Sequence, residues 1–183
     1  MSNANKLTQT PSQTIGPYFA YSITPEQYHY NFNSVANSIL YKEGGKGERI
    51  TIRGQILDGA GEPINDALIE LRQDNTLTGF GRMGTGTEPD NAFVFSTLKP
   101  AAPANAAPFI NVVVLMRGLL SHVYTRLYFE DEAEANARDS VLLQVPEARR
   151  NTLIAKRSEA NGEVIYTFNI HMQGIHETVF FDA

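Results

Sequence analysis

The stretch Arg49-Ile50-Thr51-Ile52-Arg53-Gly54-Gln55-Ile56-Leu57-Asp58 alternates polar and apolar residues. That is the period-two signature of a strand with one face in a core and the other in water. Gly59-Ala60-Gly61-Glu62-Pro63 follows with turn chemistry. Working outward, Ala67–Gln73, Phe93–Leu98, Thr125–Phe129, Val164–Ile170 and Thr178–Phe181 read as further strands. Within Ile110–Met116 the residues Val112–Met116 form a continuous apolar run, which predicts a fully buried strand. Short strands between Gly/Pro turns predict an all-β protein with a β-sandwich core. Two short helices interrupt it: acid-rich Glu130–Ala137 and a stretch from Pro146 to Ile154.

The chain has 183 residues, 42% of them apolar, and fits one domain with its own core. Residues 1–48 have little periodicity and form an irregular N-terminal arm; residues 49–183 form the sandwich domain. Tyr18, Phe19, Tyr21, Tyr28 and Tyr30 make the arm aromatic. Such rings pack against something, either the chain's own domain or another subunit. A net charge of −5 argues against nucleic acid as a partner. An apolar run of about 20 residues, as a membrane helix needs, is absent, and Met1–Thr10 does not read as a secretory signal. With zero cysteines there is neither a disulfide framework nor a thiolate site. These features agree with a cytoplasmic protein.

The four histidines, His29, His122, His171 and His176, show no metal-ligand spacing on a predicted element. His171 and His176 are five apart with Gly174 between them, and read as surface or interface residues before they read as a metal site. Gly79-Phe80-Gly81-Arg82 and Gly84-Thr85-Gly86 lack the Lys-Ser/Thr of a phosphate loop. Arg117 ends the apolar run ahead of Gly118. It either reaches solvent and pairs with an acid, or holds a ligand carboxylate bidentately.

Several segments together carry a family likeness: Thr10–Tyr18, Leu68–Asn75, Phe95–Pro100, Arg117–Ala137 and Gln173–Asp182. The chain resembles the intradiol ring-cleaving dioxygenases over nearly its whole length. Within them it is similar to the alpha-type subunit, which pairs with a catalytic beta subunit carrying ferric iron on tyrosines and histidines. The residues fit the iron-free role. The His-x-His pair of the beta type falls on Phe109 and Asn111, and neither a phenyl ring nor a neutral amide replaces imidazole as an iron ligand. A ligand tyrosine falls on Pro103. The other should follow Gln73, yet no tyrosine stands between Tyr41 and Tyr124 in any register. Some alpha chains keep a histidine where Phe109 stands. The connection Asn75–Gly79 looks shorter than in many relatives.

The resemblance implies a supporting role in a higher hetero-oligomer. The assembled enzyme would cleave protocatechuate with O2 between its hydroxyls, giving 3-carboxy-cis,cis-muconate in the beta-ketoadipate pathway. Fe(III) would sit in the partner, and this chain alone would be inactive. The arm would wrap the partner, and Thr14, Gly16, Pro17, Tyr18 and Arg117 would border the substrate at the shared cleft. The alternative is a non-catalytic β-sandwich that binds a small aromatic acid or a protein.

Overall fold

The computed structural model describes residues 16, 18–41, 45–73 and 79–182. Among the described residues ten strands dominate: β1 (Arg49–Gly54), β2 (Ile56–Leu57), β3 (Leu68–Gln73), β4 (Gly79–Gly84), β5 (Phe93–Leu98), β6 (Phe109–Leu115), β7 (Val123–Phe129), β8 (Ile154–Ala160), β9 (Glu163–Thr167) and β10 (Ile170–His171). Eight form one sheet in the order β4-β3-β6-β7-β8-β9-β1-β5, and β10 pairs with β2. The sheet folds into two leaves. β7 joins β8 only through Tyr128–Ile154 and Phe129–Ala155, so β8 is the hinge between them. The core lies between the leaves, with Ile50 and Ile52, Phe93 and Phe95, and Tyr166 facing Ile69 and Leu71, Ile110 and Val112, and Leu127 and Phe129.

The alternation read in β1 is realised, since Ile50 and Ile52 point inward while Thr51 and Arg53 stay half-exposed. The reading then breaks at Gln55, and β2 pairs elsewhere, in parallel with β10. β6 departs from its expected full burial. Ile110, Val112 and Val114 are buried, but Asn111, Val113 and Leu115 lie half-exposed on the outer face. An unbroken apolar run cannot show that only one face of its strand is covered. Thr178–Phe181 is not a strand; its ladder is reduced to one bridge between Tyr124 and Phe181.

β4 and β8 are strands that apolar patterning missed. In β4 the sequence is GFGRMG, and the arm explains its glycines. A Cβ on Gly81 would run into the Leu40 side chain, and one on Gly84 would collide with the Tyr28 hydroxyl. β8 reads IAKRSEA and exposes Lys156–Ala160, so its pairing with β9 rather than burial defines it.

The arm is not separate from this architecture. The Arg82 N–H donates to Asn37 O, Leu40 N–H to Ser96 O, and Ser96 N–H to Ser38 O, at 2.9 Å each. Residues 37–40 therefore bond to both edge strands, β4 and β5, and cover edges that would otherwise offer unpaired backbone. Leu40 is buried in the core behind them.

The helices are short: α1 (Phe19–Ile23), α2 (Ala133–Asn136) and α3 (Glu147–Arg150), flanked by single 3-10 turns. The acids ahead of α2 act mainly as ion-pair partners. Lys99 Nζ lies 2.7 Å from both Asp131 and Glu132, and Glu130 lies 2.8 Å from Lys156. Among the described residues no helix is long and apolar enough to cross a membrane.

Candidate functional site

Two groups of described residues carry the expected site, the arm around Tyr18 and the end of β6 at Arg117. Thr14 and Pro17, most of the Thr10–Tyr18 signature and the connection after Asn75 lie outside the described residues. Gly16 and Tyr18 are exposed, and Gly16 O accepts the Phe19 N–H at 3.1 Å, which ties the two to the start of α1.

Packing on the chain's own domain shapes this arm. Pro25 opens a 3-10 turn, Pro25–Tyr28, closed by His29 in the left-handed region at φ 62°. Glu26 and Ser34 lock the following loop reciprocally, Glu26 N–H to Ser34 Oγ and Ser34 N–H to Glu26 Oε2. The Gln27 side-chain amide binds both backbone groups of Gly84, donating to its O at 2.6 Å and accepting from its N–H at 2.8 Å. The Tyr28 hydroxyl donates to Thr85 O at 3.1 Å. Burial pushes the Tyr28 phenol up to about 12, with the Tyr21 phenol and the Asp66 carboxylate adding to the effect. Tyr21 links Tyr28 to Tyr18, with ring centroids 4.2 and 5.8 Å away. On the outer side Tyr18, Tyr21, Pro25, Tyr30 and Phe32 line a concavity of about 400 Å³. Tyr18 is 76% and Phe32 73% exposed, an unusual density of open aromatic surface for an isolated chain.

Arg117 leaves the end of β6, and its Nε lies 2.5 Å from Asp66 Oδ2. The Arg117 side chain is still 61% exposed, whereas that of Asp66 is 13% exposed. The ion pair therefore engages one edge of the guanidinium and leaves most of the side chain toward solvent. The next residue along from Asp66 is held on both sides. Ala67 N–H donates to Thr85 Oγ1 at 3.0 Å, and Ala67 O accepts the Thr85 N–H at 2.8 Å. Thr85 thus receives Tyr28 of the arm on its carbonyl and secures the Asp66 turn with its other groups. The structure joins the two expected halves of the site through Tyr18, Tyr21, Tyr28, Thr85, Ala67, Asp66 and Arg117. The sequence pointed to Tyr28 only as one of several packing rings of the arm, and gave no sign of Asp66 or Thr85 as its partners. Of their surroundings, only the glycine-rich Gly84-Thr85-Gly86 stood out in the sequence.

The positions onto which the family resemblance projects iron ligands hold other chemistry. Phe109 and Asn111 sit half-exposed on the outer side of β6, with the Arg126 guanidinium stacked 4.2 Å from the Phe109 ring centre. Asn111 stands between Arg72 and Arg126 in register. Behind them Asp139 is buried as an acceptor for the Tyr128 hydroxyl and for the N–H groups of Ala107, Val141 and Leu142. Burial pushes the Tyr128 phenol up to about 12. A cation, a phenyl ring, an amide and Pro103 are not a donor set for ferric iron, and these residues do not fit the metal. The His171 and His176 rings have centroids 5.9 Å apart. Among the described residues no group of three or more His, Cys, Asp or Glu could hold a metal ion.

What this arrangement offers is an outward guanidinium, an aromatic wall and an edge-covering arm. The fold carrying it is that of the intradiol dioxygenases. A dioxygenase domain from a carbohydrate-binding fusion protein of Streptomyces sp. SirexAA-E superposes with a TM-score of 0.62 at 20% identity, covering 94% of this chain and 100% of that one. An intradiol ring-cleavage dioxygenase from Tetranychus urticae does so at 0.61 and 14%, over 94% and 98%. No protein-family model matches the chain. Full-length relatives narrow the class. The protocatechuate 3,4-dioxygenase alpha chain of Burkholderia cepacia is 46% identical over 97% of this chain and 98% of its own. That of Pseudomonas putida is 38% identical over 96% and 97%. The chain belongs to the family of protocatechuate 3,4-dioxygenase alpha chains. The beta chain of the Burkholderia cepacia enzyme is more distant, 27% identical over 70% of this chain.

Proposed function

We propose that this chain is the iron-free alpha subunit of a hetero-oligomeric protocatechuate 3,4-dioxygenase, acting with a catalytic beta subunit in the cytoplasm. The observation that carries the reading is the full-length identity to alpha chains, joined to the lack of ligand chemistry at Phe109, Asn111 and Pro103. Fe(III) then belongs to the beta subunit. The holoenzyme adds both atoms of O2 to protocatechuate and opens the ring between its hydroxyls, yielding 3-carboxy-cis,cis-muconate for aromatic catabolism.

In this reading the chain binds and orients. Arg117 presents positive potential to an anionic catechol acid, and its exposure while held by Asp66 supports that role. Thr14, Gly16, Pro17 and Tyr18 form the wall on the other side of the shared cleft. The open rings of Tyr18, Tyr30 and Phe32, and the half-exposed outer face of β6, supply apolar area for the partner.

The test is expression with and without the beta chain, followed by iron analysis and protocatechuate-dependent O2 uptake. Iron and turnover only in the co-expressed complex are expected. Iron and turnover in this chain alone would refute the ligand argument. Two chains that do not associate would favour a stand-alone binding module. Replacing Arg117 by Ser in the complex should raise KM with iron content unchanged; an unaltered KM and kcat would remove Arg117 from the pocket.

A further inference from the structure

Asp66 is placed badly for stability and well for something else. Its side chain is mostly buried, and Oδ1 is a buried oxygen without a hydrogen-bond partner. Burying a carboxylate is costly unless its oxygens are satisfied. The cation it holds is largely in solvent, where an ion pair adds little to folding. The turn around it is nevertheless rigid. Gly86, at φ +95°, packs so closely on Asn65 that a Cβ there would strike the Asn65 carbonyl. On the other side Ala67 is locked to Thr85. A buried acid on a fixed turn thus grips one edge of a flexible, exposed arginine.

We infer that Asp66 is the positioning residue for Arg117, holding its guanidinium in the orientation that meets the substrate carboxylate. This rests on the substrate-facing role proposed above for Arg117. An unheld arginine side chain must lose its rotamer freedom when the ligand arrives, and a pre-oriented one has already lost it. The arm docks through Tyr28 on the same Thr85, so both walls of the cleft are set against one piece of backbone.

The test uses the assembled enzyme with its beta partner and compares Arg117→Ser, Asp66→Asn, Asp66→Glu and the double variant D66N/R117S. Two readouts are needed: Kd for protocatechuate by anaerobic equilibrium titration, and steady-state KM and kcat. Loss of a charge-assisted contact predicts a rise of about tenfold in Kd and KM for Arg117→Ser. Asp66→Asn should raise both in the same direction with kcat little changed, and should add nothing in the double variant. Asp66→Glu, which keeps the charge but shifts it by one methylene, should fall between wild type and Asp66→Asn. If Asp66 acted only as a charge, its neutralisation would strengthen the positive field and lower Kd. Tighter or unchanged binding in both Asp66 variants, with Arg117→Ser still impaired, overturns the positioning role alone. Additive losses in the double variant overturn it too. Unchanged binding in Arg117→Ser overturns this inference together with the reading beneath it.

Discussion

Replacing Asp139 by Ala should be among the most damaging single changes in this chain, although Asp139 touches neither half of the proposed cleft. The carboxylate accepts from Ala107 N–H at 3.0 Å, Tyr128 Oη at 3.1 Å, Val141 N–H at 3.0 Å and Leu142 N–H at 2.8 Å, and the residue is 1% exposed. Alanine leaves all four donors without their acceptor. At the low end of the cost of an orphaned buried donor, about 1 kcal/mol each, the loss is about 4 kcal/mol. For a chain of this size that lowers the melting temperature by about 8–16 °C. Asp139→Asn is milder. Its oxygen can keep Tyr128, Val141 and Leu142, but its NH2 then faces the Ala107 N–H, and about 2 kcal/mol is lost. Thermal unfolding of the assembled complex gives the shift, and amide exchange at Ala107, Val141 and Leu142 locates it. A melting point within about 2 °C of wild type for Asp139→Ala, or full protection at Leu142, would refute the accounting.

Stability should also depend on pH through Lys99, Asp131 and Tyr166. Burial works against the charged Asp131 carboxyl, but hydrogen bonds from Lys99 and Tyr166 outweigh it and hold the carboxyl below its ordinary 3.8, so its contribution is lost as pH falls below that value. Burial likewise opposes the Lys99 ammonium, but Asp131 and Glu132 hold it above its ordinary 10.5, so its contribution fades as pH rises past that value. Burial and Asp131 raise the Tyr166 phenol, which adds to the alkaline loss above 10.0. Melting temperature against pH should be flat between these limbs, and Lys99→Met should flatten the acid one; identical acid limbs would count against the network. Gly84→Ala should push Tyr28 off Thr85 and expose residues 18–41 to limited proteolysis, and an unchanged digestion pattern would contradict the packing seen there. Replacing Tyr30 and Phe32 together by Ser should weaken co-purification with the beta chain without lowering the melting point of this chain, since both rings are exposed; normal assembly would show that the partner sits elsewhere.

Features that live in side-chain identity could be read from the chain directly. The alternation in Arg49–Gly54 placed β1 and its inward face, and Phe109, Asn111 and the missing tyrosines were legible as poor iron ligands, because a ligand's chemistry is its residue type. Arg117 could be named because it closes an apolar run. Features that arise from what lies across a strand could not be read. β4 was hidden because its glycines serve Leu40 and Tyr28, which cross it from the arm. The half-exposure of β6 depends on which of its faces another layer covers, and the apolar run from Val112 is silent about that. The Asp66 grip on Arg117 joins residues far apart in the chain. Periodicity reports only near neighbours, so that contact, and with it the orientation of Arg117, depends on tertiary packing that holds Ala67 against Thr85.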